Sequence, residues 1–464
     1  MPHSFRFAAI SAFAALALGL QGAEQADWVV RARYVLPMDG AHRVIKNGAV
    51  AIRGNRILRT GTSNEIAHEY QARHTLERPN AILMPGLIDT HTHAAMSLLR
   101  GIADDKRLQD WLEHYIFPAE SKNVSPEFVK WGTQLACLEM ALAGITTFTD
   151  MYYFEETVAD AAKQAGVRGV LGQTIIGFPA PDFKSWHEAL TGAELFIARF
   201  QHDPLITPAV APHSIYTTPD DALIASRRLA SKYHVPLLIH VAETRKEYDD
   251  SVSQRHMTPT ETLAKLGVLS GRTVAAHSVW EGDSDLALLK QFSVGVAHCP
   301  TSNMKLASGI ARIVDMLRLG INVGLGTDGF AGSNDSADLI LEMNLAAKLQ
   351  KITRMDPEVL PGEQVVEMAT IGGARVLGMQ EQIGSLEAGK LADFITISLS
   401  NAHSIPLYNV YSQVAYASKA GDVEDVFVNG RPVVRDRRML TLDAERIYER
   451  VRSLQHGIQQ SLGR

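Results

Sequence analysis

Val235-Pro-Leu-Leu-Ile-His240, Thr273-Val-Ala-Ala-His277, Val294-Gly-Val-Ala-His298 and Asn322-Val-Gly-Leu-Gly-Thr-Asp328 set the architecture of this chain. Each is a short β-rich run ending in a histidine or an acid, and a longer segment with helical spacing follows it. The same texture holds upstream in Ile82-Leu-Met-Pro-Gly-Leu-Ile-Asp89, Ile145-Thr-Thr-Phe-Thr-Asp150, Gly169-Val-Leu-Gly-Gln-Thr-Ile-Ile176 and Leu205-Ile-Thr-Pro-Ala-Val-Ala-Pro212. Strand then helix, repeated eight times between Met84 and Met379, is the pattern of an α/β fold of the (β/α)8 TIM-barrel type. An open doubly wound sheet is the alternative.

Outside this block the pattern changes. Trp28-Val-Val-Arg-Ala-Arg-Tyr34, Gly48-Ala-Val-Ala-Ile52 and Asn55-Arg-Ile-Leu58 read as antiparallel strands. So do Ala392-Asp-Phe-Ile-Thr-Ile-Ser398 and the Asn429-Gly430 hairpin signal between Val423 and Val434. The two ends are expected to pair into one small β-sandwich domain. The expected organisation is a signal peptide over 1–23, the first part of the β domain over 26–83, the barrel over 84–380, the second part of the β domain over 384–440, and a C-terminal helix over 441–464. The leader reading rests on Arg6, the apolar run Ala8 to Leu20 broken only by Ser11, and the small exit Gly22-Ala23. That run is shorter than the ~20 residues of a membrane-spanning helix. Export to a periplasm or the medium is expected, with no membrane contact after signal removal. If the N-terminus is not a functional signal, the protein stays cytoplasmic.

The 464 residues are 46% apolar and 21% charged, ordinary globular values that exclude disorder and coiled coil. A formal charge of −6 gives no polycationic surface for nucleic acid or anionic lipid. Two cysteines, Cys137 and Cys299, make no disulfide framework. The expected partners are a small-molecule substrate and further copies of the chain in a homo-oligomer.

The 17 histidines carry the functional signal. In a parallel barrel every strand C-terminus opens on one face, so groups far apart in sequence share one cavity. His91, His93, Asp150, His213, His240, His277, His298 and Asp328 all fall at such ends. Taken singly, His240 and His277 read as core histidines and Asp328 as a turn residue. Their joint occurrence by register is what argues against the ordinary explanation.

The stretch Pro85-Gly-Leu-Ile-Asp-Thr-His-Thr-His93 resembles the first-strand motif of the amidohydrolase superfamily. Gly384-Ser-Leu-Glu-Ala-Gly-Lys-Leu-Ala-Asp393 resembles the return to its small β domain. Ser97 to Asp105, Trp111 to Glu120 and Thr301-Ser-Asn-Met-Lys-Leu306 are similar to the 5′-methylthioadenosine/S-adenosylhomocysteine deaminase group, neighbours of the chlorohydrolases and the cytosine and guanine deaminases. The resemblance implies one divalent metal ion on His91, His93, His240 and Asp328, with zinc favoured by three imidazoles and a carboxylate and iron as the competitor. Dinuclear relatives use a modified lysine at the end of the fourth strand, and the corresponding run Thr207 to His213 contains none.

By the same resemblance Glu243 moves a proton from water to purine N1, His277 holds the attacking water and stabilises the developing oxyanion, and Asp328 carries a proton to the departing amine. Glu120 accepts the ribose hydroxyls and His213 lies near purine and ribose, while Trp111 reads as a core residue. Relatives that accept S-adenosylhomocysteine hold its carboxylate with arginines. The first of those positions is Gln173 here, the second falls near Lys184, and no arginine lies between Arg168 and Arg199. The expected function is therefore deamination of 5′-methylthioadenosine or adenosine in preference to S-adenosylhomocysteine, with release of ammonia. The alternatives are a hydrolase of a free base, triazine-like ring or other C–N bond, and a non-catalytic barrel kept for binding.

Overall fold

The computed structural model describes residues 23–463. The leader expected over 1–23 lies almost wholly outside them. Among the described residues no helix is long and apolar enough to cross a membrane.

Eight strands form the central cylinder. They are β1 (Leu87–His93), β2 (Ile145–Tyr152), β3 (Arg168–Ile175), β4 (Ile206–Pro212), β5 (Leu237–Val241), β6 (Thr273–His277), β7 (Gly295–His298) and β8 (Val323–Leu325). Neighbours pair in parallel in chain order, and β8 returns to β1 through Leu325 opposite Asp89, closing the barrel. A two-residue continuation, Asp328–Gly329, then pairs with Thr92 and His93. The expected (β/α)8 barrel is present.

Both faces of the strands are covered, so β2 and β3 are buried at every position. Ile88, Val170, Ala209, Leu238, Val274 and Ala297 pack into one cluster that fills the cylinder. Leu87, Phe148, Leu171, Ile239 and Val296 belong to the larger cluster shared with the surrounding helices.

The two chain ends form one eight-stranded sheet. Its order is Arg438–Met439, Arg431–Arg435, Val423–Val428, Phe394–Ser398, Tyr70–Pro85, Glu24–Val35, Ile45–Arg53 and Arg56–Thr62. One pairing corrects the all-antiparallel expectation. Glu24–Val35 runs parallel to Tyr70–Pro85, because the hairpin Ile45–Thr62 and a capped helix, Ser63–Glu69, carry the chain back to its starting edge.

Sheet and barrel are contiguous at Gly86, between Tyr70–Pro85 and β1. A Cβ there would stand 2.1 Å from Thr146 Oγ1, so only glycine lets the chain pass between the layers. Behind it the buried guanidinium of Arg168, at the start of β3, donates to Asp393 Oδ2 at 2.9 Å. This pair lies at the strand N-termini and leaves the opposite face of the barrel free.

Candidate active site

At the C-terminal mouth of the barrel a solvent-connected cavity of about 570 Å³ is lined by His93, His213, His240, Glu243, His277 and Asp328, with Glu120 and a set of apolar side chains farther out. The imidazoles of His91 and His93 come from β1 and that of His240 from β5. His93 Nδ1 lies 2.8 Å from the Met151 carbonyl and His240 Nδ1 lies 2.9 Å from that of His213. A carbonyl only accepts, so both Nδ1 atoms carry hydrogen, and in the neutral rings both Nε2 atoms present lone pairs. Those two Nε2 atoms nevertheless face each other at 3.3 Å. Buried Nε2 of His91 makes no hydrogen bond, and Asp328 Oδ1 lies 3.3 Å from Nε2 of both His91 and His93.

Lone pairs crowded in this way repel one another unless a cation lies among them. Donors ~2.0–2.1 Å from a tetrahedral ion stand ~3.3 Å apart, so this spacing fits a single divalent metal ion. The Nδ1 contacts agree with the fit, since metal-binding imidazoles commonly donate their other N–H to a carbonyl. Asp328 is oriented by Ser302, whose hydroxyl donates to Oδ2 at 2.5 Å.

Backbone strain turns the groups inward. Ala242, His277 and Asp328 adopt left-handed φ of 48°, 71° and 65° immediately around the strand ends, where a simple continuation of the pleat would carry the side chains elsewhere. Glu243 is only 3% exposed, and burial pushes its carboxyl up to about 8. Its Oε2 is 3.9 Å from Nε2 of His277, whose Nδ1 lies 3.1 Å from Asn303 Oδ1. Glu120 stands on the helix Phe117–Asn123 and is 4% exposed. The hydroxyl of Tyr152 donates to its Oε1 at 2.7 Å. Burial pushes Glu120 up to about 7, with the tyrosine bond opposing the rise.

A family model for the amidohydrolases matches residues 82–433, which spans the barrel and its return into the end sheet. The chain belongs to the amidohydrolase family. It is 43% identical over 439 residues to a 5-methylthioadenosine/S-adenosylhomocysteine deaminase of Syntrophus aciditrophicus, covering 95% of this chain and 99% of the relative. It is 39% identical over 401 residues to a 5′-deoxyadenosine deaminase of Methanosphaera stadtmanae, covering 86% and 93%. Among solved structures, an adenosine deaminase from Xanthomonas campestris with bound zinc superposes with a TM-score of 0.93 at 36% identity, over 95% of this chain and all of that one.

Not every strand-end residue of this amidohydrolase reaches the cavity. Asp150 turns to the C-terminal end of β1, accepting from Thr92 Oγ1 at 2.9 Å and from the Ala94 N–H at 2.6 Å. His298 is buried outside the lining with both ring nitrogens unpartnered. Gln173 corrects an expectation of substrate contact. Its amide donates to Asp182 Oδ2 at 2.8 Å beside a separate groove, because strand alternation gives the cavity to its neighbour Thr174. Lys184 is exposed and also outside the lining.

Sequence reasoning missed Ser302 and Asn303, although both stand in a quoted stretch. Their work is a side-chain bond to a residue on another strand, which spacing does not reveal. Trp111 both packs and lines the cavity, with its Nε1–H on the Ala331 carbonyl at 2.8 Å.

Proposed function

We propose that this amidohydrolase is a hydrolytic deaminase of adenine nucleosides that replaces the 6-amino group by oxygen and releases ammonia. The observation that carries the reading is one cavity with a cation-binding cluster and Glu243 at its floor and a second buried carboxylate, Glu120, on its wall. The names of the relatives, an adenosine deaminase among them, point the same way. His91, His93, His240 and Asp328 would hold one divalent ion, and the mixed nitrogen and oxygen set suits zinc.

Bound there, the ion lowers the pKa of water from 15.7 towards ~7 and so supplies a nucleophile at neutral pH. His277, with Nδ1 engaged by Asn303, turns Nε2 to the water and orients it as a hydrogen-bond acceptor. Addition at C6 breaks the C6=N1 double bond and needs a proton at N1. Glu243 takes that proton from the water and delivers it. Asp328 moves the second proton from the new hydroxyl to the amino group, which departs as ammonia and leaves the 6-oxopurine nucleoside. Each acid–base role of this kind is worth ~10²–10⁴ in rate.

Glu120 receives the vicinal ribose hydroxyls on the oxygen that Tyr152 leaves free, and His213 faces the nucleoside beside it. No lysine or arginine lies among the residues lining the cavity, so no fixed positive charge meets an amino-acid carboxylate. The preferred substrates are therefore 5′-methylthioadenosine or adenosine rather than S-adenosylhomocysteine.

Ammonia release from 5′-methylthioadenosine, adenosine, S-adenosylhomocysteine and free adenine tests both parts. Turnover of the first two is expected to exceed that of the others. S-adenosylhomocysteine as the best substrate overturns the preference. Turnover of adenine alone overturns the nucleoside reading.

A further inference from the structure

Glu247 is a buried carboxylate that the reaction does not use and that does not line the cavity. It is 3% exposed, on the first turn of the helix Arg245–Arg255. Thr244 begins that helix and accepts the Glu247 N–H on Oγ1 at 3.1 Å, which fixes the backbone from which the side chain leaves. The carboxylate then points back along the chain rather than to solvent. Its Oε1 accepts the N–H of Ala242 at 3.1 Å, and its Oε2 accepts the N–H of Glu243 at 2.7 Å.

These are the two residues at which the chain leaves β5 and turns. Ala242 is left-handed there at φ 48°, a conformation that a side chain disfavours and that persists only where its surroundings hold it. The other side of the turn is held by its carbonyls. Val241 O accepts from Ser278, and Ala242 O accepts from Val279 and Trp280, all from the chain that follows β6 and His277. The turn is thus clamped by the chain that follows β6 on one side and by a single side chain on the other.

We propose that Glu247 is the positioning residue for Glu243: by gripping the N–H groups of Ala242 and Glu243 it holds the turn that aims the Glu243 carboxylate at the cavity. The proposal rests on the reading of Glu243 as proton carrier. It assigns Glu247 to the proton-transfer step and not to nucleoside binding, because Glu120, Tyr152 and His213 are carried by other elements. In Glu247→Gln one of the two oxygens becomes an NH2 group facing a backbone N–H, so one bond is lost and the turn is loosened.

The test is a mutant cycle on the full, metal-loaded chain with 5′-methylthioadenosine. E247Q is expected to lower kcat by ~10–100-fold, the scale of losing a hydrogen bond to a charged group, with KM within about threefold of the parent. Bound metal per chain and affinity for the inosine-type product are expected to stay at parental values. In an E243Q background, adding E247Q is expected to change kcat by less than about twofold, because groups acting as one unit are not additive.

Multiplication of the two effects in the double variant overturns the proposal, as does loss of metal or a rise in KM with kcat retained. Near-parental kcat in E243Q alone overturns instead the reading of Glu243. Should E247Q fail to fold, E247D carries the same cycle, since its shorter carboxylate reaches only one of the two N–H groups.

Discussion

The floor and the wall of the cavity are built in different ways. His91, His93, His240, His277 and Asp328 lie at or just beyond the ends of parallel strands, and their ring nitrogens and oxygens are locked by neighbours such as Ser302, Asn303 and the Met151 carbonyl. The wall is made by Leu108, Trp111, Leu112, Ile116 and Phe117, all from the excursion between β1 and the helix Pro126–Leu142. On the proposed function, polar groups in fixed array below and apolar surface on helical turns above would separate reaction from recognition. The floor is then tied to the paired strands of the barrel, and the wall to a part that strand pairing does not constrain.

If this division is right, damage at the floor should cost turnover and damage at the wall should cost selectivity. The largest effect is expected from removing metal: a chelator should abolish ammonia release, and zinc should restore it, as followed by activity and metal analysis. Glu243→Gln should lower kcat by ~10²–10⁴-fold while leaving nucleoside affinity near parental, which steady-state kinetics and calorimetry separate. Glu120→Gln removes a charged acceptor from the wall and should lower kcat/KM for the nucleoside by roughly 10–150-fold without affecting any residual activity on adenine. Ser302→Ala leaves one oxygen of Asp328 unheld and should weaken metal affinity by ~10–100-fold in a competition titration. The smallest effect belongs to the rim. Phe117→Ala loses an edge contact with Phe178, whose ring centre is 5.3 Å away, and should raise KM by roughly fivefold with kcat unchanged. A wall variant that lost metal, or a floor variant that altered only KM, would break the division.

The same division governs what could be read in the chain. Eight β-rich runs at regular spacing are enough to announce the barrel, because a parallel sheet buried on both faces leaves its mark in every strand. The register of His91, His93, His240, His277 and Asp328 places the floor. Register also misleads where parity intervenes, as at Gln173, which loses the cavity to Thr174, and at Asp150, which serves the backbone behind His93. The parallel pairing of Glu24–Val35 escaped notice because strand direction depends on which edge the preceding turn leaves free. The wall gave little warning: Leu108, Trp111 and Leu112 have the spacing of any buried helix face, and only packing turns that face towards a cavity.

One short helix, Pro300–Lys305, joins the two regions. Ser302 holds Asp328, Asn303 holds His277, Leu306 at its end lines the cavity, and Lys305 reaches Asp104 at 2.6 Å in the segment that carries the wall. A tilt of these few residues would be felt by Asp328, His277 and the entrance together. Substrate range cannot therefore be retuned from this side without detuning the reaction. Directed changes of specificity belong on the opposite bank, between Leu108 and Phe117, which Ser302 and Asn303 do not touch.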